Sequence, residues 1–114
     1  PDRRPIAIAG ASSGIGAALA RHYAARALDA GFDADVDPAL RLFFYLPFEH
    51  AEDMADQDRA LALFTALGDA NLLAYATAHR DAIVRFGRFP YRNAALGRSN
   101  TPEEQAWLDA GGGF

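Results

Sequence analysis

Three groups of side chains in this sequence have the types and spacings that chemistry requires. The first is Gly10-Ala11-Ser12-Ser13-Gly14-Ile15-Gly16, which follows the short apolar run Pro5 to Ala9 and precedes an alanine-rich stretch. Glycines there permit a tight turn and close backbone approach, and a helix starting at such a loop presents free amides and partial positive charge to a phosphate. The second group is Glu49, His50, Glu52 and Asp53. On a continuous helix Glu49 and Asp53 share a face and His50 lies beside Asp53, so imidazole and carboxylates would be within reach of one another. That composition suits a metal or acid-base work, but the spacing matches no established zinc pattern such as two histidines four apart around a glutamate. Acidic residues near a helix start are favoured by the helix dipole in any case, so no metal ligand and no catalytic residue is assigned. The third group is Arg80, Arg85, Arg88, Arg92 and Arg98 with Asn93. Pairing with the acidic segment Glu49 to Asp58 accounts for these charges without a ligand. The sharper expectation is that Arg88, Arg92 and Asn93 converge with His50 and Glu52 on a pocket for a small anion, because guanidinium forks fit carboxylate or phosphate.

What the chain lacks narrows the chemistry further. All eleven basic residues are arginine, which removes mechanisms that need a lysine base, a Schiff base or a phosphate-binding lysine. No cysteine is present, which excludes disulfides, thiolate zinc sites and thiol nucleophiles. His79 falls on the apolar stripe of a helix, where a packing histidine with a satisfied ring nitrogen is the ordinary case, and His22 has no partner pattern. A net charge of -4 and a pI near 5.2 disfavour nucleic acid, whose binding rests on a basic surface. The longest strongly apolar run, Leu42 to Phe48, is too short for a bilayer, and a cytoplasmic location is expected. At 114 residues the chain has room for one modest core.

The elements that must position these residues are mainly helical. Pro5 to Ala9 reads as one short extended segment, then a loop and a helix to Ala27. Asp37-Pro38 supplies an N-cap and a first-turn proline. Leu40, Leu42, Phe43, Phe44, Tyr45, Leu46 and Phe48 are apolar on every side and the run lacks β-branched residues, predicting a buried helix that ends or kinks at Pro47. Glu49 to Leu67 reads as an amphipathic helix with Met54, Leu61, Phe64 and Leu67 inward and Asp53, Asp56, Gln57 and Asp58 mostly elsewhere, stopped by Gly68. Asp69 or Asn71 caps the next helix, whose stripe Leu72, Ala76, His79, Ile83 and Phe86 runs to Gly87. A short helix follows Pro90, and Thr101-Pro102-Glu103-Glu104 combines cap, proline and capping-box glutamate. The Gly111-Gly112-Gly113 tail is flexible unless Phe114 docks.

Two resemblances overlie this reading. Ala9 to Gly16 resembles the cofactor loop of the short-chain dehydrogenase/reductase family, over roughly Pro5 to Ala25. The resemblance implies NAD or NADP contacts at Gly10, Ser12, Ser13, Gly14, Ile15 and Gly16, with Ala9 where a threonine is usual. A dinucleotide site needs several parallel strands, and this family's catalytic tyrosine and lysine pair cannot exist in a chain without lysine, so a complete dehydrogenase is excluded. From about Ala25 to Phe114 the chain resembles the C-terminal half of the bacterial domain-of-unknown-function 924 family, a helical family similar to tetratricopeptide-repeat folds. The carriers are Leu42-Phe43-Phe44-Tyr45-Leu46-Pro47-Phe48-Glu49-His50-Ala51-Glu52-Asp53, Asp56-Gln57, Phe86-Gly87-Arg88-Phe89-Pro90-Tyr91-Arg92-Asn93, Leu96-Gly97-Arg98 and Thr101-Pro102-Glu103-Glu104. Ala51 and Tyr91 stand where serine and histidine are common.

The expected architecture is therefore mainly α, with antiparallel helical hairpins resembling a tetratricopeptide-like superhelix and one short N-terminal extended segment. Residues 1–27 form a dehydrogenase-like fragment and residues 28–114 the helical domain. The expected function is protein interaction or small-ligand binding without a cofactor, and the alternative is an NAD(P)-binding remnant. The family's own N-terminal helices are missing, so apolar faces such as Leu40, Phe43 and Phe44 are expected to lack cover and to favour self-association or a protein partner.

Overall fold

Local signals set most of the helix ends. A computed structural model of the protein describes residues 14–114. The expected extended segment Ile6 to Ala9 and the loop residues Gly10, Ser12 and Ser13 lie outside the described residues, whereas Gly14, Ile15 and Gly16 form the first turn of a helix. That helix, α1, spans Gly14–Asp29. Short 3-10 turns at Phe32–Asp35 and Pro38–Leu40 lead to α2 at Leu42–Glu49. Then come α3 at Met54–Leu67, α4 at Ala70–Phe86, a 3-10 turn at Pro90–Arg92 and α5 at Pro102–Asp109. Among the described residues there is no strand.

The caps show why these ends hold. The Asp37 carboxylate accepts from the Ala39 amide at the proline turn. The Asp69 carboxylate, not Asn71, caps α4 by accepting from the Asn71 and Leu72 amides. Gly68 and Gly87 close α3 and α4 at φ 82° and 73°, a left-handed geometry that glycine adopts at little cost. At α5, Thr101 and Glu104 complete the reciprocal capping box, as their spacing predicts.

One break departs from expectation. Glu49 to Leu67 is not continuous: α2 runs two residues past Pro47 to Glu49, residues 50–53 turn, and α3 starts at Met54 with Asp53 as its N-cap. Asp53 accepts from the Asp56 amide, so it does not share a helix face with Glu49.

Helices α3 and α4, joined by a two-residue turn, pack extensively and must run antiparallel; α2 packs on α3, and α1 on α2. The main core gathers Ala24 of α1, Tyr45 and Phe48 of α2, Ala60 and Phe64 of α3 and Ala76 of α4. Tyr45 meets Phe64 edge to face with centroids 5.5 Å apart, a favoured aromatic arrangement. A second cluster joins Ala82, Ile83 and Phe89, with Met54 and Trp107 against it. Asp56 and Gln57, expected to face away from the core, are buried. The reason is tertiary: Arg21 of α1 grips Asp56 with two bonds of 2.7 Å, and the Gln57 amide serves carbonyls at the end of α2. Leu40 and Phe43, two of the side chains expected to lack cover, are 53% and 64% exposed, while Phe44 is half-buried.

Candidate functional site

The C-terminal turn of α2, the middle of α4 and the segment after Pro90 enclose a cavity of about 580 Å³. Leu46, Leu72, Ala95 and Leu96 supply aliphatic wall, and Tyr75, Tyr91 and Phe114 supply aromatic wall. Glu49, His50, His79 and Arg92 are its charged or ionisable lining.

Each polar group is placed by an identifiable contact. Glu49 ends α2 and is buried. Among the described residues its carboxylate has one polar partner, the His50 imidazole, with Nε2 3.3 Å from Oε2. His50 follows as the exposed C-cap, its amide donating to the Leu46 carbonyl at 2.9 Å. His79 is buried on the inward stripe of α4, and its Nδ1 meets the Tyr75 carbonyl at 2.7 Å. A carbonyl only accepts, so Nδ1 carries the proton and Nε2 keeps its lone pair. The His79 ring lies 5.4 Å from that of His50 and stacks on Phe114 at 3.8 Å, so the glycine tail does dock through its last residue. Burial holds His79 below the ordinary imidazole range, outweighing the Tyr75 carbonyl and the Glu49 charge, because charging a buried ring forfeits solvation. Burial likewise pushes the Tyr91 phenol up.

Arg92 donates from Nη1 to the His50 carbonyl at 2.9 Å and lies over the Phe89 ring, 4.6 Å from its centroid. Among the described residues it makes no ion pair with a carboxylate. Stacking on an aromatic face fixes a guanidinium without consuming its donors.

The other residues expected in an anion pocket go elsewhere. Arg88 forks onto Glu104 with two bonds of 2.7 Å and reaches the Ser99 carbonyl. This pairing, together with the Thr101 amide, holds the Glu104 carboxyl down at about 2. Glu52 is taken by Arg98, which donates twice at 2.8 and 3.0 Å, and by the Phe89 amide. Burial pushes Glu52 up, but those donors outweigh it and hold it below the usual carboxylate range. Asn93 is fully buried, donating to Asn100 and accepting from Arg98. Thus Glu52, Arg98 and Asn93 pin the loop after α4 to the turn before α3. Of the five expected residues, His50 and Arg92 line the cavity. Glu49 and His79, expected to act as capping and packing groups, join them there; the inward place of His79 was legible, but not what it would face.

Among the described residues the body is all-helical and carries a half-enclosed polar and aromatic cavity. The chain matches the family model "Bacterial protein of unknown function (DUF924)" over residues 15–112 and belongs to that family. The match takes in Ile15, Gly16 and the rest of α1. A solved structure of a protein of unknown function from Agrobacterium tumefaciens is similar, with 49% identity and a TM-score of 0.80. The similarity covers 83% of this chain and 53% of that one, so the chain spans about half the length of that relative. No curated protein matches.

Proposed function

We propose that the protein is a binding module whose cavity takes a small organic anion, a carboxylate with an apolar or aromatic body. The observation that carries this reading is Arg92, which lines the cavity, is steadied by Phe89 and the His50 carbonyl, and has no carboxylate partner among the described residues. The volume of about 580 Å³ lies within the range of small-molecule sites, which are mostly apolar with a few placed polar groups. The aliphatic and aromatic walls would take the body of the ligand and the guanidinium its charged end. A tetratricopeptide-like arrangement of the helices, as the sequence resemblance implies, would suit this use, since stacked hairpins build concave binding surfaces.

The test is a thermal-shift panel of aromatic and branched aliphatic carboxylates against the matching alcohols. Carboxylates should raise the melting temperature and alcohols should not. Arg92→Ala should abolish the shift and Arg88→Ala, whose guanidinium is spent on Glu104, should retain it. A panel without any shift, or a shift that survives Arg92→Ala, refutes the reading.

A second reading rests on Leu40 and Phe43, with Leu19 and Tyr23 one turn apart on α1, all more than half exposed. We propose that these exposed apolar side chains bury against a second copy of the chain. Sedimentation should show a dimer that Phe43→Asp converts to monomer; a monomer at all concentrations refutes it.

A further inference from the structure

Glu49, His50 and His79 form a cluster distinct in chemistry from the Arg92 end of the cavity. One ligand atom from each lies within 4.8 Å of the others. We propose that these three side chains bind one divalent transition-metal ion of the zinc class, with a coordination position left open to the cavity.

Four observations support the site. Glu49 is only 3% exposed, and among the described residues its one polar partner is an imidazole at 3.3 Å. A buried carboxylate requires a cation or a proton, and His50 supplies charge only when protonated. Second, the Tyr75 carbonyl fixes His79 with Nδ1 protonated, leaving Nε2 as the donor nitrogen. Metal-binding histidines are held this way, the far ring nitrogen donating to a carbonyl or carboxylate. Third, the set is two imidazoles and one carboxylate, which suits zinc, cobalt or nickel in preference to magnesium or calcium. Three protein ligands with a vacant fourth position is the pattern of reactive or exchangeable sites. Fourth, the geometry closes with small movement. Ligand atoms about 2.0–2.1 Å from a tetrahedral ion sit about 3.3 Å apart, so separations that are all within 4.8 Å need to shrink by no more than about 1.5 Å. His50, nearly half exposed, has the freedom to make that move.

The cluster joins elements distant in sequence. Glu49 and His50 end α2, where the Gln57 amide holds the Glu49 carbonyl at 2.6 Å, and His79 comes from the buried stripe of α4. Phe114 stacks on one face of the His79 ring, and Phe89 meets that ring at 78° with centroids 5.5 Å apart. Arg92 is the nearby cation, and its repulsion lowers metal affinity, so removing it should not weaken the ion. The inference therefore goes beyond the anion reading and does not depend on it.

The experiment is titration of the full chain with Co2+ followed by visible absorption, and with Zn2+ by calorimetry. One equivalent should bind, with ligand-field bands of a low-symmetry four- or five-coordinate site. His50→Ala, His79→Gln and Glu49→Gln should each lower affinity by at least about tenfold, since even outer-shell changes cost that much. His22→Ala should bind like the parent. His79 and Glu49 are buried, so His50→Ala decides the outcome if either variant fails to melt cooperatively. Absence of saturable binding, unchanged affinity in His50→Ala, or loss in His22→Ala overturns the proposal. Arg92→Ala separates the two readings: it should lose the carboxylate shift and keep the Co2+ spectrum. Carboxylate shifts without any Co2+ spectrum would remove the metal and leave the anion pocket standing.

Discussion

Gln57→Leu tests the contact that sets the end of α2 and therefore the position of Glu49 and His50. Gln57 is fully buried, and its Nε2 donates to the carbonyls of Glu49 at 2.6 Å and Ala51 at 2.8 Å, with Phe48 at a marginal 3.5 Å. The last carbonyls of a helix have no partner within it, so this amide replaces the missing next turn. Leucine keeps the volume and removes both donors. Each buried acceptor left unpaired costs about 1–3 kcal/mol. Ala51 is only half-buried and can turn to water, and the Phe48 carbonyl already accepts from the Ala51 amide. Loss of Gln57 Oε1, which is buried without a partner, returns part of the cost. The net is about 1–2 kcal/mol, and at about 4–8 °C per kcal/mol for a domain near this size the melting temperature should fall by about 4–16 °C. Calorimetry or circular-dichroism melting reads it. Gln57→Glu discriminates donation from packing: it sets an acceptor against carbonyls, so it should be worse than leucine at neutral pH and recover as acid restores one donor. If Gln57→Leu stays within about 0.5 kcal/mol of the parent, or Gln57→Glu is the milder change, the reasoning fails.

Other consequences follow from the same contacts. Glu104 has its carboxyl depressed from 4.5 to about 2 in the fold, so its contribution is complete above about 4.5 and is lost as pH falls through about 2. The stability gap between the parent and Glu104→Gln should therefore narrow across that window; a gap independent of pH would refute the Arg88 pairing. Thr101→Ala removes the acceptor for the Glu104 amide at 3.1 Å and should cost about 0.5–2 kcal/mol in denaturant unfolding. Gly87→Ala meets no neighbouring atom but is forced to φ 73°, and should cost about 1–2 kcal/mol from backbone strain alone. Calorimetric titration with NAD or NADP should show absent or millimolar binding, because Gly14 to Gly16 open a helix whose body packs on α2 and no described strand backs it.

What the sequence determined by itself is what depends on near neighbours. The stops at Gly68 and Gly87, the Asp37 and Thr101 caps, the stripe of α4 and its inward His79 all arise within one or two helical turns. Chain sterics and capping bonds between near neighbours are enough to decide them. Tertiary structure decided the destinations of polar side chains, because those depend on partners far along the chain. Asp56 is buried because Arg21, 35 positions earlier, reaches it, and Glu52 is consumed by Arg98, 46 positions later. Arg88 is spent on Glu104 while Arg92, four residues on, lines the cavity. The break at residues 50–53 belongs with these cases, since Gln57 satisfies the end of α2 from the following helix. Local pattern shows which way a helix faces; only packing shows which charge, ring or void waits opposite, since an ion pair or a hydrogen bond acts across space, not along sequence.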